Sequence, residues 1–109
     1  MPDAAAILRR LERTIAERRH GDPAVSYVAQ LHARGLPVIA RKLGEEAVEA
    51  VIAALSGNGE DVVGEAADLV FHLLVLLSAK DIAFDAVLGE LARREGLGGL
   101  EEKAARGSR

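Results

Sequence analysis

Residues 65–79, EAADLVFHLLVLLSA, set the tightest limit on what this chain can fold into. From Ala66 to Ala79 the only polar residues are Asp68, His72 and Ser78. At helical periodicity such a segment is apolar nearly all round, and a helix of that kind belongs inside a protein, against other helices. Yet Glu65 and Asp68 stand at its head. A carboxylate there costs several kcal/mol, on the order of the desolvation of a buried ion, unless something positive meets it. No basic residue lies within a turn of Asp68.

A second acidic segment precedes it. In GEEAVEAVIAAL, residues 44–55, Glu45, Glu46 and Glu49 open another apolar helical run. Each helical residue turns about 100°, so Glu49 lies about 40° and Glu46 about 100° from Glu45. All three share a flank bordering Val48 and Ile52. On the next helix Asp68 and His72 fall within about 60° of Glu65. Glu46/Glu49 and Glu65/Asp68 each have i, i+3 spacing, so each pair presents its oxygens together. Facing each other across an antiparallel helix pair, they form a cage suited to a hard divalent cation, Mg²⁺ above all. The plainer alternative is a solvated face, with Lys42 an i, i+4 partner of Glu46. It leaves Glu65 and Asp68 unexplained, and Lys before Glu is the weaker order for such a pair.

The rest of the chain is punctuated into helices. Ile7, Leu8, Leu11 and Ile15 predict a first helix over about 3–19, with Asp3 as its N-cap. Asp22-Pro23 supplies a cap and a first-turn proline for a second over 24–33. A third runs over 37–55 to the turn Ser56-Gly57-Asn58-Gly59, a fourth over 60–79 and a fifth over 84–94. No alternating β pattern competes. The expectation is one all-α domain over residues 1–109, a bundle of about five helices completed by dimerisation, with a short tail from about 97 that frays unless docked. Tyr27 reads as packing rather than substrate recognition, and His72 as a satisfied core histidine, a ligand, or a group orienting Asp68.

Composition narrows the function classes. Three aromatics and a net charge of −3 argue against nucleic-acid binding. The absence of cysteine removes disulfides and thiolate metal sites. The charged N-terminus has no signal-peptide core, and the Leu69–Ala79 run is too short for a bilayer, so a cytoplasmic protein is expected.

Glu45-Glu46-x-x-Glu49 followed by Glu65-x-x-Asp68 resembles the motif of the MazG-type all-α nucleoside triphosphate pyrophosphohydrolases. The segments SYVAQLHARGLPVIARKLGEEAVEAVIAA, EAADLVFHLLVLLSAKDI and LARREGLGGLEEKAARG resemble one branch in order, that of the phosphoribosyl-ATP pyrophosphohydrolases of histidine biosynthesis. The likeness covers about Leu8 to Arg106. It departs at Phe71, where this branch often has Tyr, and in a short turn at 56–60. Without a cysteine-dependent cyclohydrolase partner domain, the expectation is a stand-alone enzyme.

The resemblance implies hydrolysis of phosphoribosyl-ATP between the α and β phosphates, giving phosphoribosyl-AMP and pyrophosphate. It implies Mg²⁺, with Mn²⁺ as a substitute, held by Glu46, Glu49, Glu65 and Asp68. Glu45 is then a further ligand or the base, and Glu46 and Glu49 serve catalysis through the metal. Arg41 and Lys42 are the first candidates to meet substrate phosphates, followed by Lys80, Arg93 and Arg94. The relatives' homodimers imply a homodimer here. Three rivals stand beside this reading. They are a house-cleaning pyrophosphohydrolase of ordinary or damaged nucleotides, a carboxylate-bridged di-iron bundle, which wants Glu-x-x-His pairs, and a non-enzymatic helical interaction module.

Overall fold

The computed structural model describes residues 3–96 together with 103, 106 and 107. Its helices are α1 (Ala4–Arg18), α2 (Tyr27–Arg34), α3 (Leu36–Ser56), α4 (Gly59–Ala79) and α5 (Phe84–Arg94), with no strand among the described residues. The fold is all-α. The expected C-terminal tail lies, but for those three residues, outside the described residues.

Local chemistry sets the helix ends. Asp3 caps α1 by accepting from the Ala5 N–H at 3.1 Å. The second helix starts three residues later than expected. The Asp22 carboxylate accepts from the Ala24 N–H at 2.9 Å, and its carbonyl accepts from Val25 and Ser26, closing a separate turn. Ser26 then caps α2, accepting from the Ala29 N–H at 3.2 Å. An Asx turn therefore outcompetes the helix at Asp22-Pro23. Gly35, at φ 97°, separates α2 from α3 in a conformation that favours glycine.

Between α3 and α4 lie only Gly57 and Asn58, so the two helices fold back antiparallel. Asn58 accepts from the Asp61 N–H at 2.9 Å while Asp61 accepts from the Asn58 N–H at 3.3 Å, a reciprocal capping box. Residues of α1 fasten the other end. Glu12 accepts from the Phe84 N–H at 2.7 Å and so caps α5, whose own N-cap is alanine. Arg19 bonds the Ser78 carbonyl and meets Asp81 at 3.1 Å.

The core is small and off-centre. Ile15, Val28, Leu31, Ile39, Leu74 and Val75 form it, flanked by Leu8, Leu11, Phe71 and Phe84. It joins α1 and α2 to the first part of α3 and the last part of α4. The other half of the α3–α4 hairpin extends past this core.

That placement corrects the expectation that α4 is buried throughout. Its buried residues are His72, Leu74 and Val75, while Val63 is 70% exposed. On α3, Val48, Val51, Ile52 and Leu55 are likewise exposed. By length and composition alone α4, whose most apolar 18-residue stretch has mean hydropathy 1.8, is apolar enough to cross a bilayer, more so than the Leu69–Ala79 run suggested. Glu65 and Asp68 lie near its middle, and an Asp at a bilayer centre costs about 3 kcal/mol. Its pairing with α3 is that of a bundle helix.

Replacing Asn58 by alanine removes the cap that starts α4. The expected loss is about 1 kcal/mol, seen as a fall of roughly 4–8 °C in the thermal midpoint. Circular dichroism melting of Asn58→Ala beside the native protein measures it.

Candidate active site

The site lies between α3 and α4, beyond the core. Glu46 and Glu49 come from consecutive turns of α3, and Glu65 from the second turn of α4. One carboxylate oxygen of each lies within 4.8 Å of the other two. Glu46 is only 7% exposed, Glu65 is half-buried and Glu49 reaches the surface. The two-residue link fixes which turns of α3 and α4 face each other, and it sets Glu65, without Asp68, opposite Glu46 and Glu49.

The cluster is electrostatically unsatisfied. Oε2 of Glu46 and Oε2 of Glu65 are buried, and no protein donor reaches either. Burial raises the Glu46 carboxyl above its ordinary 4.5, and the neighbouring Glu49 raises it further; Asp68 adds to this, while His72 opposes it. Glu65 is raised for the same reasons, burial first and then Glu49, Asp68 and Glu46. A proton taken up by Glu46 or Glu65 is the relief open to the protein by itself. A divalent cation is the other. Three converging carboxylates with two orphaned buried oxygens are a donor set that fits a hard, oxygen-seeking ion.

The other predicted residues take different positions. Asp68, exposed on the next turn of α4, lies outside the three-oxygen cluster, though its charge is felt by both Glu46 and Glu65. Glu45 turns away from the cluster towards cations: Arg41 Nε at 3.9 Å and Lys42 Nζ at 3.6 Å. Lys42 also stands 3.9 Å from Glu46 Oε1. Lys42 therefore borders the cluster, and Arg41 lies beside Glu45. Lys80 is the C-cap of α4, twelve residues and so about 18 Å along the helix from Asp68. Arg93 and Arg94 both engage Glu90 on α5, at 2.7 and 3.0 Å, and hold its carboxyl down to about 2. The Phe84 end of α5 lies against Ala5, Leu8 and Glu12 of α1.

His72 has both nitrogens engaged. Nδ1 lies 2.7 Å from the Asp68 carbonyl, and Nε2 lies 2.9 Å from the Tyr27 hydroxyl. It is a satisfied core histidine, and it bonds the backbone of Asp68 rather than the carboxylate. Sequence reading gave Tyr27 no such role; its partner is 45 residues away, and no local pattern carries that contact.

Two open recesses meet at Glu49. One, of about 650 Å³, is lined by Arg41, Gly44, Glu45, Val48 and Glu49. The other, of about 360 Å³, runs past Ile52, Ser56, Asp61 and Glu65. An anionic ligand entering the first would find cations at one end and the carboxylate cluster at the other.

The profile of the family described as phosphoribosyl-ATP pyrophosphohydrolase matches residues 8–95, which include the whole cluster. The chain belongs to this family. It is 67% identical over 100 residues to the phosphoribosyl-ATP pyrophosphatase of Novosphingobium aromaticivorans, covering 92% of this chain and 94% of that protein. The protein of the same name from Erythrobacter litoralis is 65% identical over 100 residues, covering 92% and 96%. That of Rhizorhabdus wittichii is 63% identical over 99 residues, covering 91% and 93%. A di-iron bundle wants Glu-x-x-His pairs, and His72 follows Asp68 by four residues and Glu65 by seven.

The raised carboxyls have a measurable consequence. A group whose folded pKa exceeds its unfolded value stabilises the fold fully below about 4.5, and that contribution is lost as pH rises through the folded value. Without divalent cations, Glu46→Gln is therefore expected to melt at a higher temperature than the native protein at neutral pH. The gap should close as pH falls towards 4.5. Thermal melts of both proteins in chelator across that range test this, and a gap independent of pH contradicts it.

Proposed function

We propose that this chain catalyses the second step of histidine biosynthesis, hydrolysing phosphoribosyl-ATP between its α and β phosphates to phosphoribosyl-AMP and pyrophosphate. The observation that carries the reading is the convergence of Glu46, Glu49 and Glu65, with orphaned buried oxygens, beside Arg41 and Lys42. Family membership selects the substrate over those of the house-cleaning branch, whose acidic motif is the same. The enzyme is cytoplasmic on this reading.

Glu46, Glu49 and Glu65 would hold Mg²⁺, with Asp68 joining them from the next turn and Mn²⁺ able to substitute. When bound, the ion would neutralise phosphoanhydride charge and lower the pKa of water, a stabilisation of several kcal/mol, on the order of 100-fold or more in rate. The chain's own residues do the rest. Arg41 and Lys42 meet phosphate oxygens at the rim, and the open recess beside Val48 takes the bulk of the nucleotide. Glu45, outside the cluster, is the carboxylate free to take a proton from the attacking water once its cations turn to phosphate.

The working unit is a homodimer. Val48, Val51, Ile52 and Leu55 form an exposed i, i+3, i+4, i+7 stripe on α3; Val63, Ala66, Ala67 and Val70 form another on α4. Two apolar stripes on one projecting hairpin suit pairing with a second copy into a four-helix arrangement. Since the α3 stripe borders Glu45 and Glu49, the second copy would also wall the recess. Lys80, about 18 Å from Asp68, would then serve phosphate only across the subunit contact.

Pyrophosphate release should be Mg²⁺-dependent and favour phosphoribosyl-ATP over ATP and deoxynucleoside triphosphates. Asp68→Asn should lower kcat by about 100-fold or more. Turnover of simple triphosphates in preference moves the protein to the house-cleaning branch. Sedimentation at micromolar concentration should give a dimer, and Val51→Glu should shift it towards monomer; a monomeric native protein overturns the subunit arrangement.

A further inference from the structure

We infer that Tyr27 is a positioning residue for the cation site, acting through His72 on the turn of α4 that carries Asp68. The inference rests on the cation site proposed above and adds to it a residue on a different helix. A carbonyl oxygen only accepts hydrogen bonds, so the 2.7 Å contact from His72 Nδ1 to the Asp68 carbonyl places a proton on Nδ1. In the neutral ring Nε2 is then an acceptor, and the Tyr27 hydroxyl donates to it at 2.9 Å. The hydroxyl therefore selects the tautomer that bonds the Asp68 turn.

The ring has little freedom to do otherwise. His72 is 6% exposed and stands edge-on to Tyr27 and Phe71, with ring centroids 5.7 and 5.2 Å away. Tyr27 is itself stacked on Phe71 at 6.1 Å, which holds its hydroxyl in place. The Asp68 carbonyl, already the helical i−4 acceptor for residue 72, thus receives a second donor. Asp68 is the one proposed ligand outside the three-carboxylate cluster, so it depends most on the setting of its own turn. Outer partners that orient metal ligands commonly govern 10–100-fold in metal affinity or activity.

The test needs no substrate. Mg²⁺ is titrated calorimetrically into the native protein and Tyr27→Phe, which keeps the ring and its stack on Phe71. The expected result is a Kd about tenfold or more weaker in Tyr27→Phe, with His72 side-chain nitrogen shifts moving away from the Nδ1–H form. His72→Asn, whose amide nitrogen reproduces Nδ1, should bind Mg²⁺ more tightly than His72→Leu. Native Mg²⁺ affinity in Tyr27→Phe overturns the inference, even if its thermal midpoint falls. So does equal affinity of the two His72 variants. A native protein that binds no Mg²⁺ overturns the cation site itself, a result distinct from either.

Discussion

The repulsion among Glu46, Glu49 and Glu65 is the constraint around which this structure is arranged. Two unit charges about 4 Å apart repel by roughly 4 kcal/mol at an effective dielectric of 20, and burial adds to that at Glu46 and Glu65. No local interaction on the α3–α4 hairpin offsets such a cost. Lys42 reaches Glu46 only at 3.9 Å. The hairpin must therefore be held from elsewhere, and it is: the buried apolar core lies at its other half, where α1 and α2 cover Ile39, Leu74 and Val75. Folding is secured at one end of the hairpin, and the unfavourable charge is carried at the other.

This division accounts for the exposed apolar residues. A bundle closed around the whole hairpin would cover Val51 and Val63, but it would also bury Glu49 and close both recesses that meet there. A projecting hairpin leaves the carboxylates reachable and the apolar stripes bare. Covering the stripes with a second copy restores burial without filling the recess from within. The cap at Asn58 matters more in such a molecule than in a fully packed one, since it fixes the start of α4 beyond the core.

The helices and the approach of Glu65 to Glu46 and Glu49 were legible in the sequence because both follow from short-range rules: periodicity, caps and a two-residue link. What escaped notice depended on competition or on distance. At Asp22-Pro23 a turn won over the helix because Asp22 bonds its own neighbours first. The burial of α4 was overstated because apolarity fixes what a helix can bury against, not whether a single chain supplies it. Tyr27 and His72 meet across 45 residues, and only the packing of α2 on α4 creates that bond. The pairing of Arg93 and Arg94 with Glu90 was readable as i+3 and i+4 spacing.

The cations beside Glu45 are suited to exchange rather than to stability. Arg41 and Lys42 contact it at 3.9 and 3.6 Å on a solvated helix face, a geometry worth only about 0–1 kcal/mol. A carboxylate with one negative charge competes poorly there with a phosphate chain carrying several. On the proposed reading, substrate binding draws Lys42 and Arg41 away and leaves Glu45 unpaired one residue from the buried cluster. The same weak ion pairs that contribute almost nothing to the fold would keep that carboxylate screened until the anion it acts on has arrived.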